Sequence, residues 1–213
     1  TQKRLEHDEK FPNEPRRIRA DEQVAITDDE VQVSGRAGVM DVNERLFQMI
    51  LQKNPGATFA VEESYPMHHT YAGATPLGPI MEIRAQDANA PIDDARVDQA
   101  LQYWRETRDQ LLSGAGAKDS GDSTLLTYAR LAAAQGNLLA YSNRAADAEQ
   151  AYRLGIEIDS GSPEAVYGLA NILNHSGRGE EAKQIIAKAQ QVNPDFQKYA
   201  DPSSSWMVTH AKR

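Results

Sequence analysis

The fold is decided by a stretch that occurs twice in this chain, at a spacing of 34 residues. The two copies are Gly136-Asn137-Leu138-Leu139-Ala140-Tyr141-Ser142-Asn143-Arg144 and Ala170-Asn171-Ile172-Leu173-Asn174-His175-Ser176-Gly177-Arg178. The correspondence continues without a gap through Ala148 and Ala182, and then through Gln150 and Gln184. A fixed period of this length with small residues at constant offsets is typical of stacked helix pairs. The sequence therefore predicts two consecutive helical repeats.

Turn residues divide the repeat region into four helices. The apolar spacing predicts them over 123–142, 144–158, 163–175 and 180–192. Ser162 is a candidate cap for the third helix, and Pro163 suits the first position of a helix. Asn193-Pro194 ends the last helix. The tail over 195–213 contains three aromatic residues that we expect to cover the open end of the stack, because terminal repeats need a cap.

Residues 123–194 resemble the tetratricopeptide repeat family. The second unit has small residues at the three positions where the family's helices cross closely: Ala170, Ala182 and Ala189. The first unit departs from the family pattern at three positions: Ala132, Gln135 and Ser160. The resemblance implies a non-enzymatic module that binds another protein or a peptide. Because two repeats are fewer than the usual three, we expect additional segments to cap the stack, or two copies to associate.

The resemblance also indicates which residues contact a ligand, since this family binds along the inner face of the first helix of each pair. In this chain the inner face holds Arg130, Asn137, Tyr141, Tyr167, Asn171, Asn174 and His175. Asn137 and Asn171 are equivalent, and an amide offers donors and an acceptor to a peptide backbone. Both asparagines could instead serve helix packing or solvation. Arg130 would set a charge preference, whereas the lysine of the family's carboxylate clamp is absent here.

Upstream of the repeats the pattern changes to mixed strands and helices. Residues 1–21 are charged and interrupted by proline, which favours an extended or disordered lead-in. A β-hairpin is predicted across Asp28-Asp29, and a helix is predicted to open at Asp41. Strands follow over 58–63 and 80–84, separated by a loop.

These elements predict the domain organisation. A small α+β domain would span 22–112 and end in a helix over 91–112. Residues 113–122 are rich in Gly, Ser and Asp, which is the composition of a flexible linker. Two repeats over 123–194 and the tail complete the chain. The predicted fold class is therefore α+β: a small mixed domain followed by an all-α repeat domain.

A second resemblance covers roughly residues 23–85. The ordered motifs are Asn54-Pro55, Phe59-Ala60-Val61-Glu62-Glu63-Ser64-Tyr65-Pro66 and Thr75-Pro76-Leu77-Gly78-Pro79-Ile80. They are similar to a segment of bacterial membrane proteins of the protein-O-mannosyltransferase-like type. The resemblance implies an extracytoplasmic, periplasmic accessory region of a glycosyltransferase-like protein, with a cytoplasmic location as the alternative. It transfers no catalytic residue to this chain.

Composition and motifs narrow the functional classes. The net charge of −8 argues against nucleic-acid binding, which needs a basic surface. No apolar run is long enough to insert this chain in a membrane. Glu62-Glu63 and His68-His69 are candidate catalytic or metal-ligating pairs, but neighbouring residues on a strand point to opposite faces. We therefore predict no enzyme, cofactor or metal. The alternatives to a binding module are the accessory region and a structural assembly domain.

Overall fold

A computed structural model describes residues 2–18, 22–27, 30–62, 71, 73–84, 90–113 and 123–196. The chain divides into two compact units, Thr1–Asn54 and Pro55–Arg213. The sequence placed the main boundary at 113–122, and residues 114–122 of that predicted linker lie outside the described residues. The observed division falls after the first helix of the predicted α+β domain instead. The hairpin with its helix and the later strands therefore belong to different units.

The first unit contains helix α1 (Gln2–Lys10), strands β1 (Gln23–Thr27) and β2 (Glu30–Ser34), and helix α2 (Arg36–Lys53). The predicted hairpin is present, with Val24 paired to Val33 and Ile26 to Val31 in an antiparallel register. Helix α2 begins at Arg36, so Asp41 lies inside the helix and does not open it.

The prediction of an extended or disordered lead-in is wrong for Gln2–Lys10, which is helical. Tertiary contacts fix the segment that follows. The Asp8 carboxylate accepts hydrogen bonds from the backbone N–H groups of Arg17, at 2.8 Å, and Ile18, at 2.9 Å. These two bonds lower the pKa of Asp8 to about 2. The Arg4 guanidinium donates to the carbonyl oxygen of Arg17 at 2.9 Å. Such contacts across several residues leave no periodic signal in the sequence.

The second unit opens with a three-stranded antiparallel sheet. Its strands are β3 (Thr58–Val61), β4 (Ala74–Leu77) and β5 (Ile80–Arg84), in the spatial order β3-β5-β4. The sequence predicted a loop where β4 lies, because residues 64–79 are rich in Pro, Gly, His and Tyr. Since β4 is an edge strand, it tolerates a proline that cannot donate to the ladder. Gly78, with φ of 62°, makes the tight turn to β5.

Within the described residues, five helices follow the sheet, and their bounds lie close to those predicted. They are α3 (Asp94–Ser113), α4 (Ser123–Tyr141), α5 (Ala145–Ile158), α6 (Pro163–His175) and α7 (Gly179–Val192). Helix α4 packs against α5 and α6, and α6 packs against α7, as in two stacked helix pairs. Pro163 occupies the start of α6 as predicted. The Ser162 side chain makes no capping hydrogen bond, and its hydroxyl is buried without a partner among the described residues.

Helix α3 packs against β4 of the sheet as well as against the repeats. It packs against α5, and three of its apolar residues join the core formed by the repeats: Val97, Leu101 and Trp104. Arg105 also donates to the side-chain carbonyl of Gln150 on α5 at 2.9 Å. Helix α3 therefore covers the first repeat, as expected for a capping segment.

Candidate functional site

The ring of Tyr152, on α5, lies between the two helices that carry the predicted inner face. It packs against Gly136 on α4 and Gly168 on α6. A Cβ atom would lie 2.6 Å from the ring at Gly136 and 2.2 Å from it at Gly168. Real Cβ atoms do not approach other atoms this closely, so both positions require glycine. Tyr152 is only 3% exposed, and its ring position is fixed from two sides.

Asn137 is held by this tyrosine. The hydroxyl of Tyr152 donates to Asn137 Oδ1 at 2.8 Å. The Nδ2 group of Asn137 has no acceptor among the described residues, and it is not one of their buried unpartnered atoms. Asn137 therefore supports the packing of α4 on α5 with its oxygen.

Three predicted contact residues lie in the second half of α6, and their side chains are exposed: Asn171, Asn174 and His175. The amides of both asparagines form no side-chain hydrogen bond within the described part of the chain. Nδ1 of His175 lies 2.8 Å from the carbonyl oxygen of Asn171. Because a carbonyl can only accept, Nδ1 donates, and Nε2 of the neutral ring remains as an acceptor.

Arg130 does not carry an uncompensated charge. Its Nε lies 3.3 Å from Oε1 of Glu164, across the α4–α6 contact. The geometry is that of an ion pair without a good hydrogen bond, since Arg130 Nε and Glu164 Oε2 are buried and have no hydrogen-bond partner among the described residues. The expected charge preference from Arg130 is therefore weakened, because a ligand would meet both members of the pair.

The two aromatic residues of the predicted face lie at its opposite ends. Tyr141, at the end of α4, is 43% exposed, and its ring lies 5.2 Å from that of the buried Tyr71. Tyr167, on α6, stacks on Phe196 with ring centroids 4.8 Å apart. Burial raises the pKa of Tyr167. Both rings thus contact other parts of unit 2 before any ligand arrives.

Phe196 is the part of the tail that covers the last repeat. Its side chain is fully buried against Val166 and Ala189. The other two tail aromatics, Tyr199 and Trp206, lie outside the described residues.

An arginine that the sequence analysis did not single out joins α3 to the first repeat. Arg144 pairs with Asp94 of α3 at 2.6 Å and with Asp147 of α5 at 2.8 Å. Hydrogen bonds to these two carboxylates, Asp94 first, raise the pKa of Arg144. The guanidinium therefore bridges the start of α3 and the start of α5.

Arg178 repeats this arrangement one unit later. It pairs with Glu149 of α5 at 2.9 Å and with Glu181 of α7 at 2.7 Å. Arg153 contacts the same two carboxylates and closes the network. Arg178 is 34 residues after Arg144 and Glu181 is 34 residues after Asp147, so this half of the arrangement follows the repeat period. The repeat alignment contained this signal, because the arginines and their acidic partners three residues on share the period.

Gln135 explains one departure from the tetratricopeptide pattern. Its side chain is buried, and Nε2 donates to the carbonyl oxygen of Ile80 on β5 at 3.1 Å. An apolar residue at this position would leave that carbonyl without this donor. The sheet therefore contacts α4 at this position.

Of the candidate catalytic or metal-ligating pairs Glu62-Glu63 and His68-His69, only Glu62 lies within the described residues. Its side chain is exposed at the end of β3. Glu63, His68 and His69 lie outside the described residues. The part of the chain that the structure describes contains no group of three or more His, Asp or Glu side chains able to hold a metal ion. Within the same residues, no helix has the length and apolar character needed to cross a bilayer.

Comparison with known families agrees with the helical architecture. Paired antiparallel helices with this stacking define the class of helical-repeat interaction proteins. Residues 139–201 match the tetratricopeptide repeat family, which confirms that the helical region contains tetratricopeptide repeats. No curated protein and no solved structure gave a significant match to the chain. The second resemblance, to mannosyltransferase-like membrane proteins, receives no support from these comparisons.

Proposed function

We propose that unit 2 is a non-enzymatic interaction module that binds a peptide or a partner helix along the inner face of α4 and α6. The observation that carries the proposal is the group of exposed hydrogen-bonding side chains on α6, namely Asn171, Asn174 and His175. Exposed amides with no side-chain bond among the described residues can be satisfied by a ligand without first breaking a bond there.

The proposed surface is narrower than the sequence alone predicted. Four inner-face residues already contact other side chains: Arg130, Asn137, Tyr141 and Tyr167. Their role would be to shape the surface, with Asn137 also offering its N–H groups. The ligand contacts would concentrate on the second half of α6. A short peptide fits this surface better than a long helix.

The test is selection of a random 12-residue peptide library on phage with the folded wild-type chain. We expect enriched peptides whose binding is lost in an Asn171→Ala/Asn174→Ala variant. The matched control is Gln184→Ala/Gln190→Ala, two exposed positions on α7. Equal melting temperatures would show that all three proteins fold alike. Equal binding by the control and by the Asn171→Ala/Asn174→Ala variant would refute the proposed surface.

A structural assembly role is the second candidate, and the stacking of Phe196 on Tyr167 favours it. In that case the chain would use its repeats to pack its own segments or a second copy. Sedimentation equilibrium of the full chain tests it. A concentration-dependent dimer that no library peptide dissociates would favour assembly, and a monomer that binds peptides would exclude it.

A further inference from the structure

We infer that helix α2 of the first unit binds an acidic amphipathic helix of another protein along an open apolar stripe. This surface lies outside the tetratricopeptide repeats, so it is independent of the function proposed for unit 2. Three features of α2 support it: the spacing of its apolar residues, their exposure, and the charge at the borders of the stripe.

The apolar residues of α2 follow a heptad spacing. Four of them are separated by alternating steps of three and four residues: Val39, Val42, Leu46 and Met49. Val39 and Leu46 then occupy a positions, and Val42 and Met49 occupy d positions, on one face of the helix. Ile50 lies beside Met49 and widens this stripe. From Val39 to Ile50 the stripe is about 17 Å long at 1.5 Å per residue, which suits side-by-side packing of a second helix.

Most of this stripe is open. Four of its side chains are between 41% and 52% exposed: Val39, Leu46, Met49 and Ile50. Among the described residues of the first unit, only two apolar side chains are buried, Ile18 and Leu51. Small units are marginally stable even with a complete core, so a partner that covers the stripe would also stabilise this unit.

The β-hairpin extends the apolar surface next to α2. Ile26 and Val31 form a cross-strand pair, and both side chains are exposed. Val33 lies on the same face of the hairpin and approaches α2 so closely that a Cβ at Gly38 would lie 3.0 Å from Val33 Cγ1. A contiguous exposed apolar surface of this kind is typical of an interaction site.

The borders of the stripe are basic. Arg45 occupies a g position beside the stripe, and Lys53 occupies the a position one heptad after Leu46. Both side chains are exposed, and neither has an ion-pair partner among the described residues. The acidic positions of α2, 41 and 44, lie on the other side of the helix by the same count. Carboxylates beside the apolar stripe of a partner helix would therefore complement Arg45 and Lys53.

A second copy of α2 fits this surface poorly. In a parallel pair, a positions face each other, so Lys53 would meet Lys53 of the other copy within the seam. In an antiparallel pair centred on Leu46, g positions face each other, so Arg45 would meet Arg45 of the other copy. Neither arrangement brings a carboxylate to either cation. An acidic helix avoids both repulsions.

The test uses two labelled, N-acetylated and C-amidated 21-residue peptides. One has Leu at its a and d positions, Glu at e and g, and Ala elsewhere, and the other has Lys in place of every Glu. Fluorescence polarisation measures their binding to the full chain in low and high salt. We expect the Glu peptide to bind at least about tenfold more tightly, by a margin that shrinks in high salt. Equal binding of the two peptides, or binding of neither, would overturn the inference and leave the function proposed for unit 2 untouched.

Charge exchange assigns the binding to α2. In Arg45→Glu/Lys53→Glu the preference should reverse in favour of the Lys peptide. The matched control is Lys183→Glu/Lys188→Glu, which changes the net charge equally at exposed positions of α7 and should keep the preference for the Glu peptide. Loss of the preference in this control as well would indicate attraction by overall charge and contradict the inference.

Leu46→Ser tests the apolar stripe itself. Because Leu46 is exposed, we expect an unchanged circular dichroism spectrum and binding of the Glu peptide about tenfold weaker than that of the wild-type chain. Unchanged binding would exclude the stripe as the contact. Vesicles of phosphatidylserine and phosphatidylcholine test an anionic membrane as the ligand. Cosedimentation with them that Leu46→Ser abolishes, in a chain that binds neither peptide, would overturn the inference in favour of lipid.

Discussion

Gly168→Ala would damage the repeat core through a single methyl group. The added Cβ would lie 2.2 Å from Cε1 of Tyr152, 2.6 Å from Cζ and 2.7 Å from Cδ1. Ordinary carbon contacts lie at about 3.5–4.0 Å, so the ring would have to move by more than about 1 Å. It cannot move towards α4, because Gly136 already contacts its other side. The tyrosine would therefore leave its position and lose its bond to Asn137.

Three contributions decide the size of the effect. Overpacking a core costs about 1–3 kcal/mol, and loss of the tyrosine hydrogen bond costs about 1 kcal/mol. Replacing glycine by alanine inside a helix returns about 1 kcal/mol. The free energy of unfolding should thus fall by about 1–3 kcal/mol. For a unit of this size, the melting temperature should fall by about 2–12 °C.

Thermal and urea unfolding followed by circular dichroism measure this change. Gly56→Ala is the matched control, because its Cβ would have no neighbour within 4 Å. In a Tyr152→Ala background, the cost of Gly168→Ala should disappear, since the clash is with that ring. Gly168→Ala as stable as wild type, or equally costly without the ring, would refute the packing described for Tyr152.

Three further predictions concern other contacts. The pKa of Asp8 is lowered from 3.8 to about 2, so its stabilising effect is complete above about pH 4 and is lost as pH falls through about 2. Asp8→Asn should therefore lower the stability of the first unit at pH 6 but not at pH 2, in urea unfolding monitored by NMR, and a pH-independent difference would contradict this. Phe196→Ala should cost about 3 kcal/mol and lower the raised pKa of Tyr167, as measured by NMR titration; an unchanged titration would show that other groups bury that phenol. Arg144→Met should cost no more than about 1 kcal/mol, a difference that 1 M NaCl removes, and a larger, salt-resistant loss would indicate more than an exposed ion pair.

Much of the repeat region could be predicted from the sequence because its signals are local. The bounds of α6 coincide with the predicted 163–175, since Pro163 and the turn after His175 mark its ends. The small residues Ala170, Ala182 and Ala189 are buried as their periodic spacing implied. Local propensity and the apolar period were thus sufficient to predict the helices of the repeat region and their buried faces.

The candidate site was predictable only as a list of positions. The 34-residue period identified Asn137 and Asn171 as equivalent, yet their surroundings differ. Tyr152 lies on α5 and Gly168 on α6, whereas Asn137 lies on α4. The contacts among them depend on how closely these three helices approach one another. The same is true of Tyr167, whose partner Phe196 lies beyond the end of α7. A pattern along one helix does not state which side chain of another helix will meet it.

By itself, the sequence determined a chain of mixed strands and helices that ends in tetratricopeptide helix pairs. Apolar spacing, turn residues and helix caps act over a few residues. The helices and strands that they define can therefore be predicted along the sequence. The tertiary structure alone decided that the chain divides after Asn54 and that α3 packs with the repeats. It also decided which inner-face amide is held by Tyr152. These outcomes depend on contacts between residues far apart in sequence. Close packing determines which side chains meet, and a local periodic pattern contains no information about it.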